Sequence, residues 1–133
     1  MFVLIAISSD VANAQFKLYE KGHDAYTAGK YNEAITNFSE YLTKPTRDKA
    51  LDVEVFYLRA LAYYKSNDFK NAINDFQESI LLNHKNTGNI YWFLAKCYNN
   101  TASPAEALNA YTNGIRELDA NTDSKSAAIA ATP

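Results

Sequence analysis

One degenerate pattern recurs three times along the chain, and its spacing constrains the fold more than any other feature. The copies are Tyr31-Asn32-Glu33-Ala34-Ile35-Thr36-Asn37-Phe38, Phe69-Lys70-Asn71-Ala72-Ile73-Asn74-Asp75-Phe76 and Pro104-Ala105-Glu106-Ala107-Leu108-Asn109-Ala110-Tyr111. Their alanines stand 38 and then 35 positions apart (72−34 and 107−72). A period of this size marks stacked helical hairpins, none of which buries its apolar face without a neighbour. Such a stack predicts a binding scaffold rather than a catalyst.

Composition supports one packed domain. The chain has 133 residues, 47% of them hydrophobic and 14% aromatic, which excludes a disordered chain. Ten Tyr and seven Phe against four Gly and three Pro suit helices joined by short turns. A net charge of −2, with no Lys/Arg cluster, gives no electrostatic footprint for nucleic acid.

The N-terminus is of a different kind. Phe2 to Ile7 is a continuous apolar run, followed by Ser8-Ser9-Asp10 and then Ala12-Asn13-Ala14 before Gln15. This resembles the end of a secretory signal peptide over residues 1–14, cut after Ala14. The positive segment that usually precedes such a run is missing, which is consistent with a start upstream of Met1. The alternative is a frayed N-terminal helix packed on the first repeat. The run is too short to span a bilayer, which takes about 20 apolar residues. Cys97 is the one cysteine, so no intramolecular disulfide forms, and it reads as a small buried hydrophobe. Gln15 stands where a lipoprotein would need its acylated cysteine. The expectation is therefore an exported, periplasmic or secreted protein that is not a lipoprotein.

The repeated residues resemble the tetratricopeptide repeat (TPR) family. Repeat 2 carries Phe56, Ala60, Tyr63, Phe69, Ala72, Phe76 and Ser79 at that family's offsets. Repeat 3 carries Tyr91, Leu94, Ala95, Tyr98, Ala107, Tyr111 and Gly114, and repeat 1 carries Leu18, Gly22, Ala25, Tyr26, Gly29, Tyr31, Ala34 and Phe38. The resemblance covers Gln15 to Leu118 and implies an all-α, right-handed solenoid of three antiparallel hairpins, at about 15–46, 47–86 and 87–118. The repeat-ending proline is missing, with His84 in its place in repeat 2, and Thr43 to Ala50 is an insertion holding Pro45.

Local signals agree with these boundaries. Ser103-Pro104-Ala105-Glu106 is a capping box with proline at the first helical position. Asp68 is placed to cap the second B helix, and Pro45 forbids continuation of the first. Thr87 and Gly88 mark the turn before the third A helix. Gly22, Ala34, Ala60, Ala72, Ala95 and Ala107 let helices approach closely. Residues 119–133, polar and with Ile129 their one large apolar side chain, read as a disordered tail with Ser126 to Ala131 weakly helical, or as the join to a longer chain.

Catalytic constellations are close to absent, so the chain reads as no enzyme, with no cofactor and no metal. His23 shares a helix with Glu20 and Asp24, a solvated composition, and His84 reads as a solvent-facing turn residue. The carboxylate pairs Glu33 with Glu40 and Asp75 with Glu78 read as exposed faces. Of the sequons at Asn37 and Asn99, the first falls inside a helix.

What remains is an apolar surplus on helix 2A, Leu51 to Lys65. Val55, Phe56, Ala60 and Tyr63 account for its two buried flanks, leaving Tyr57, Leu58, Leu61 and Tyr64. By the family resemblance these line a concave groove, with Tyr19, His23 and Tyr26 on one side and Trp92, Phe93, Lys96 and Asn100 on the other. An apolar, tyrosine-rich groove with one Trp suits a peptide or helix of a partner protein. The competing reading makes these aromatics core. The charged clamp by which heat-shock-chaperone adaptors of this family hold a C-terminal carboxylate is not reproduced, because Tyr19, Leu58 and Phe93 stand at its positions. Two further expectations are self-association through an uncapped third repeat and, as an alternative function, a structural module at the front of a larger envelope or secretion-assembly protein.

Overall fold

The computed structural model describes residues 2–45 and 47–131, with side chains at 9–45, 47–124 and 129–131. The outer limits expected above at Met1, Thr46 and Pro133 lie outside the described residues. Every regular element among the described residues is a helix: α1 (Phe2–Thr27), α2 (Tyr31–Leu42), α3 (Lys49–Lys65), α4 (Phe69–Leu81), α5 (Thr87–Asn100) and α6 (Pro104–Ala130). They pair as α1 with α2, α3 with α4 and α5 with α6, and successive hairpins meet through α2 with α3 and α4 with α5.

One turn chemistry closes all three hairpins. Gly29, Asn67 and Ala102 take positive φ at 75°, 61° and 55° just past α1, α3 and α5. In each, the next N–H reaches back five residues: Lys30 to Ala25 at 2.8 Å, Asp68 to Tyr63 at 2.9 Å and Ser103 to Tyr98 at 2.9 Å. This left-handed cap satisfies carbonyls the helix end would otherwise orphan. Asp68 then caps α4, its carboxylate accepting from the Asn71 N–H at 3.3 Å.

Small side chains set the packing distance within hairpins. Ala34, Ala60, Ala72 and Ala95 are fully buried. A Cβ on Gly22 would sit 2.5 Å from the Phe38 ring, so only glycine lets α1 lie this close to α2. Between hairpins a second stripe does the work, at i, i+3, i+4 and i+7. On α3 it is Val55, Leu58, Arg59 and Ala62, and Arg59 reaches Ser39 of α2 at 3.1 Å. On α5 it is Ile90, Phe93, Leu94 and Cys97, and Phe93 stacks on Phe76 of α4 with centroids 5.7 Å apart. The equivalent residues of α1 are Lys17, Glu20, Lys21 and Asp24, all exposed, so this end of the stack is polar.

Four expectations need correction. Residues 119–130 are not a loose tail but the second half of α6, which meets no Gly or Pro after Gly114 and ties the Thr122 hydroxyl to the Leu118 carbonyl at 3.0 Å. Thr87 and Gly88 lie inside α5 rather than in the turn before it. Asp75 is buried rather than solvating, in a bidentate pair with Arg59 at 2.6 and 2.8 Å. It belongs to the inner stripe Ala72, Asp75, Phe76, Ser79, which explains its burial. Burial lifts the Asp75 carboxyl above its ordinary value against the pull of Arg59. Burial also opposes the charge of Arg59, but the Asp75 hydrogen bond and charge outweigh it and hold the guanidinium pKa above its usual value. Lastly, His84 is buried, not solvent-facing.

Candidate functional site: an aromatic face on α1, α3 and α5

The odd-numbered helices turn a shared row of rings outward. On α1, Phe16, Tyr19 and His23 follow one another at 6.0 and 6.1 Å between centroids, and Tyr26 lies 5.7 Å from Tyr31. On α3, Tyr64 meets the edge of Phe93 at 5.2 Å, and on α5 Trp92 meets Phe93 at 5.0 Å. The Lys96 ammonium sits 4.6 Å over the Trp92 ring, a cation–π contact at i, i+4. Trp92 is 47% exposed, His23 and Asn100 are exposed, and Tyr19, Tyr26, Tyr57, Tyr64, Phe93 and Lys96 are half-buried.

Leu58 and Leu61 do not belong to this open row. They are 6% and 7% exposed and form part of the core, so the expectation that both are available to a ligand is corrected. Leu58 lies on the stripe that faces the preceding hairpin, and Phe93 divides its ring between that stripe and the row. Phe56 and Tyr63, expected as core, are only half-buried and flank Arg59, whose guanidinium lies 5.8 and 5.7 Å from their centroids.

His84 is the residue the sequence reading missed. Its Nδ1 accepts the Asn86 N–H at 3.0 Å, which places the ring proton on Nε2, 3.1 Å from a Glu54 carboxylate oxygen. The same ring lies 4.3 Å from that of Tyr57. The α4–α5 link therefore fixes both Tyr57 and Glu54 at the middle of the face. Burial, then the Glu54 charge, raise the pKa of Tyr57 and of Tyr19. Burial, followed by Tyr31 and Tyr57, raises that of Tyr26. All three hydroxyls stay neutral near neutral pH and act as hydrogen-bond donors and acceptors. The signal for His84 lay in its position, where the resembled family ends a repeat with proline.

Among the described residues no three His, Cys, Asp or Glu side chains are grouped to hold a metal. Cys97 is buried, and burial pushes its thiol up to about 12. A cleft of about 430 Å³ between α4 and α6, with Gln77, Leu81, Tyr98 and Asn109 among its walls, lies away from the rings. What the face offers is apolar area, ring edges, neutral phenols, the Glu54 carboxylate and the Lys96 ammonium.

Comparison with known proteins follows the same line. Residues 53–86 match the family model of the tetratricopeptide repeat. Human tetratricopeptide repeat protein 12 is 37% identical over 71 residues, which are 53% of this chain and 9% of that protein. The Hsp90 co-chaperone Cns1 of Saccharomyces cerevisiae superposes with a TM-score of 0.68 at 18% identity, covering 88% of this chain and 42% of that one. The C-terminal TPR-containing domain of a Plasmodium falciparum FK506-binding protein gives 0.58 at 17% identity, covering 86% and 95%. The fold is that of TPR domains. The chain spans a small part of the human relative and less than half of the yeast structure.

Proposed function

We propose that the chain is a three-repeat TPR scaffold that binds a peptide or helix of a partner protein along the α1, α3 and α5 face. The observation that carries this reading is the ring row itself, with Trp92 half-exposed beneath Lys96 and Tyr57 held in place by His84. An Hsp90 co-chaperone among the proteins that share this fold supports protein binding as the general role. Recognition proceeds by burying apolar side chains of the partner on preset rings, each well-buried anchor contributing about 1.5–3 kcal/mol.

The test compares wild type with Tyr19→Ala/Lys96→Ala, which truncates two half-buried side chains of the row. Cross-linking and pull-down from the native extract should yield a partner with wild type and lose it with the variant, at a temperature where circular dichroism shows both chains folded. Equal capture by both would end the reading.

Export belongs to the same proposal, carried by the apolar run and Ala12-Asn13-Ala14 ahead of Gln15. Among the described residues no helix is long and apolar enough to cross a membrane. Mass spectrometry of native material should find a chain beginning at Gln15. Retention of the Met1 segment would count against export, and a much larger mass would favour the module of a longer envelope protein.

A further inference from the structure

The two ends of the helical stack are not alike. The first hairpin ends in the charges Lys17, Glu20, Lys21 and Asp24, whereas the third ends in apolar side chains. Leu108, Ile115 and Leu118 are 68%, 61% and 56% exposed on one side of α6, an unusual density of large apolar groups. With Trp92, Tyr111, Gly88 and Gly114 the last two line a small cleft of about 80 Å³.

The repeat period says what this face is built for. Leu108, Tyr111 and Ile115 stand 35 positions after Ile73, Phe76 and Ile80, which stand 38 after Ile35, Phe38 and Leu42. In the first two hairpins all six side chains are buried or pack against the core, where the next helix lies. In the third, Leu108 and Ile115 are bare. The end of α6 thus continues the interface that already joins α2 to α3 and α4 to α5.

We infer that this face is a second docking surface, centred on α6 and meeting the ring row only at Trp92, for one amphipathic helix of a partner protein. The chemistry of that helix follows from the two that fill the same role inside the fold. Val55, Leu58, Arg59, Ala62 and Ile90, Phe93, Leu94, Cys97 share a pattern: aliphatic at i, large and apolar at i+3, small at i+7. A second copy of the chain is the poorer fit. Its first end offers charges at these positions, and α3 and α5 are already engaged with α2 and α4.

Trp92, the one tryptophan of the chain, reports on the cleft. The probe is a peptide of residues 49–65, which has the required stripe and no tryptophan, held helical by a lactam staple on its opposite face. Titrated into the full chain, it should give a saturable blue shift of Trp92 emission. Leu108→Glu/Ile115→Glu, both exposed and so compatible with folding, should weaken it by about tenfold or more. A peptide with Leu58→Asp should give no shift, and the ring-row variant Tyr19→Ala, which leaves the Lys96–Trp92 contact in place, should bind as wild type does. A saturable shift unaffected by the α6 substitutions, or no saturation at all, overturns the inference. So does sedimentation showing a dimer that Leu108→Glu/Ile115→Glu dissolves, since the occupant would then be a second copy, and so does native material whose chain runs on past residue 133 into a helix with this stripe, since the occupant would then be its own.

Discussion

The middle and third hairpins carry one pattern and bury it differently. Phe76 is enclosed and stacked on Phe93, whereas Tyr111 at the equivalent position is half-buried. Ile80 packs on the core and Ile115 faces out. Asn67 closes the middle turn and Ala102 the third, in the same left-handed conformation. The difference teaches that burial in a repeat belongs to the stack: a pattern position becomes core only where another helix covers it.

The largest test of that contrast is a matched truncation. Phe76→Ala should cost about 3–5 kcal/mol and unfold much of a domain this size. Tyr111→Ala should cost on the order of 1–2 kcal/mol. Urea midpoints for the two variants measure the gap, and equal costs would mean that Tyr111 is enclosed by a contact the monomer does not show.

Next comes the ion pair. Arg59 and Asp75 correspond to Leu94 and Ala110 in the third hairpin, an apolar solution to the same site. Asp75→Ala alone leaves a guanidinium without its partner and should cost about 3 kcal/mol. Adding Arg59→Leu grafts the third hairpin's pair and should restore most of the loss. Failure of the double variant to recover would show that the Ser39 and ring contacts of Arg59, not its charge pairing, hold α3 to α2.

Gly22 offers an intermediate effect. Ala60 and Ala95 hold its place in the later hairpins, yet its own neighbour is the buried Phe38 ring. Gly22→Ala gains about 1 kcal/mol of helix propensity but forces that ring to move, for a net loss of about 1–2 kcal/mol. A stabilised variant would mean that α1 slides more easily than its packing implies. In the opposite direction, Ala102→Gly should stabilise by about 0.5–1 kcal/mol, since glycine takes the left-handed cap without strain, as Gly29 does in the first turn.

Much of this was legible in the residues. The helices, the small-residue contacts and the buried Cys97 follow from periodicity, and all three hairpin turns fall where the pattern breaks. The ring row was legible in part: Tyr19, Tyr57, Tyr64, Trp92 and Lys96 stand on it, but Leu58 and Leu61 do not. Two neighbouring stripes on α3 are both apolar, and only packing against α2 tells the buried one from the open one. His84 and Asp75 were misplaced for a simpler reason. A polar side chain reads as solvated until its partner is known, and those partners, Glu54 and Arg59, lie 30 and 16 positions away. The helix beyond Leu118 was missed because it has no apolar stripe; it persists for want of a breaker.

The smallest expected effect sharpens the comparison most. Ile80→Ser removes an aliphatic side chain that packs on the core and should cost about 1–2 kcal/mol. Ile115→Ser removes the equivalent side chain from a site 61% open to solvent, where substitutions usually stay within about 0.5 kcal/mol. Thermal unfolding of both variants at several protein concentrations separates the possibilities. A small and concentration-independent effect for Ile115 shows that the third hairpin stands uncovered in the isolated chain, its apolar end available to a helix from outside. A cost that matches Ile80 and grows with concentration would mean that copies of the chain already cover that end. The asymmetry between the two hairpins would then vanish in solution.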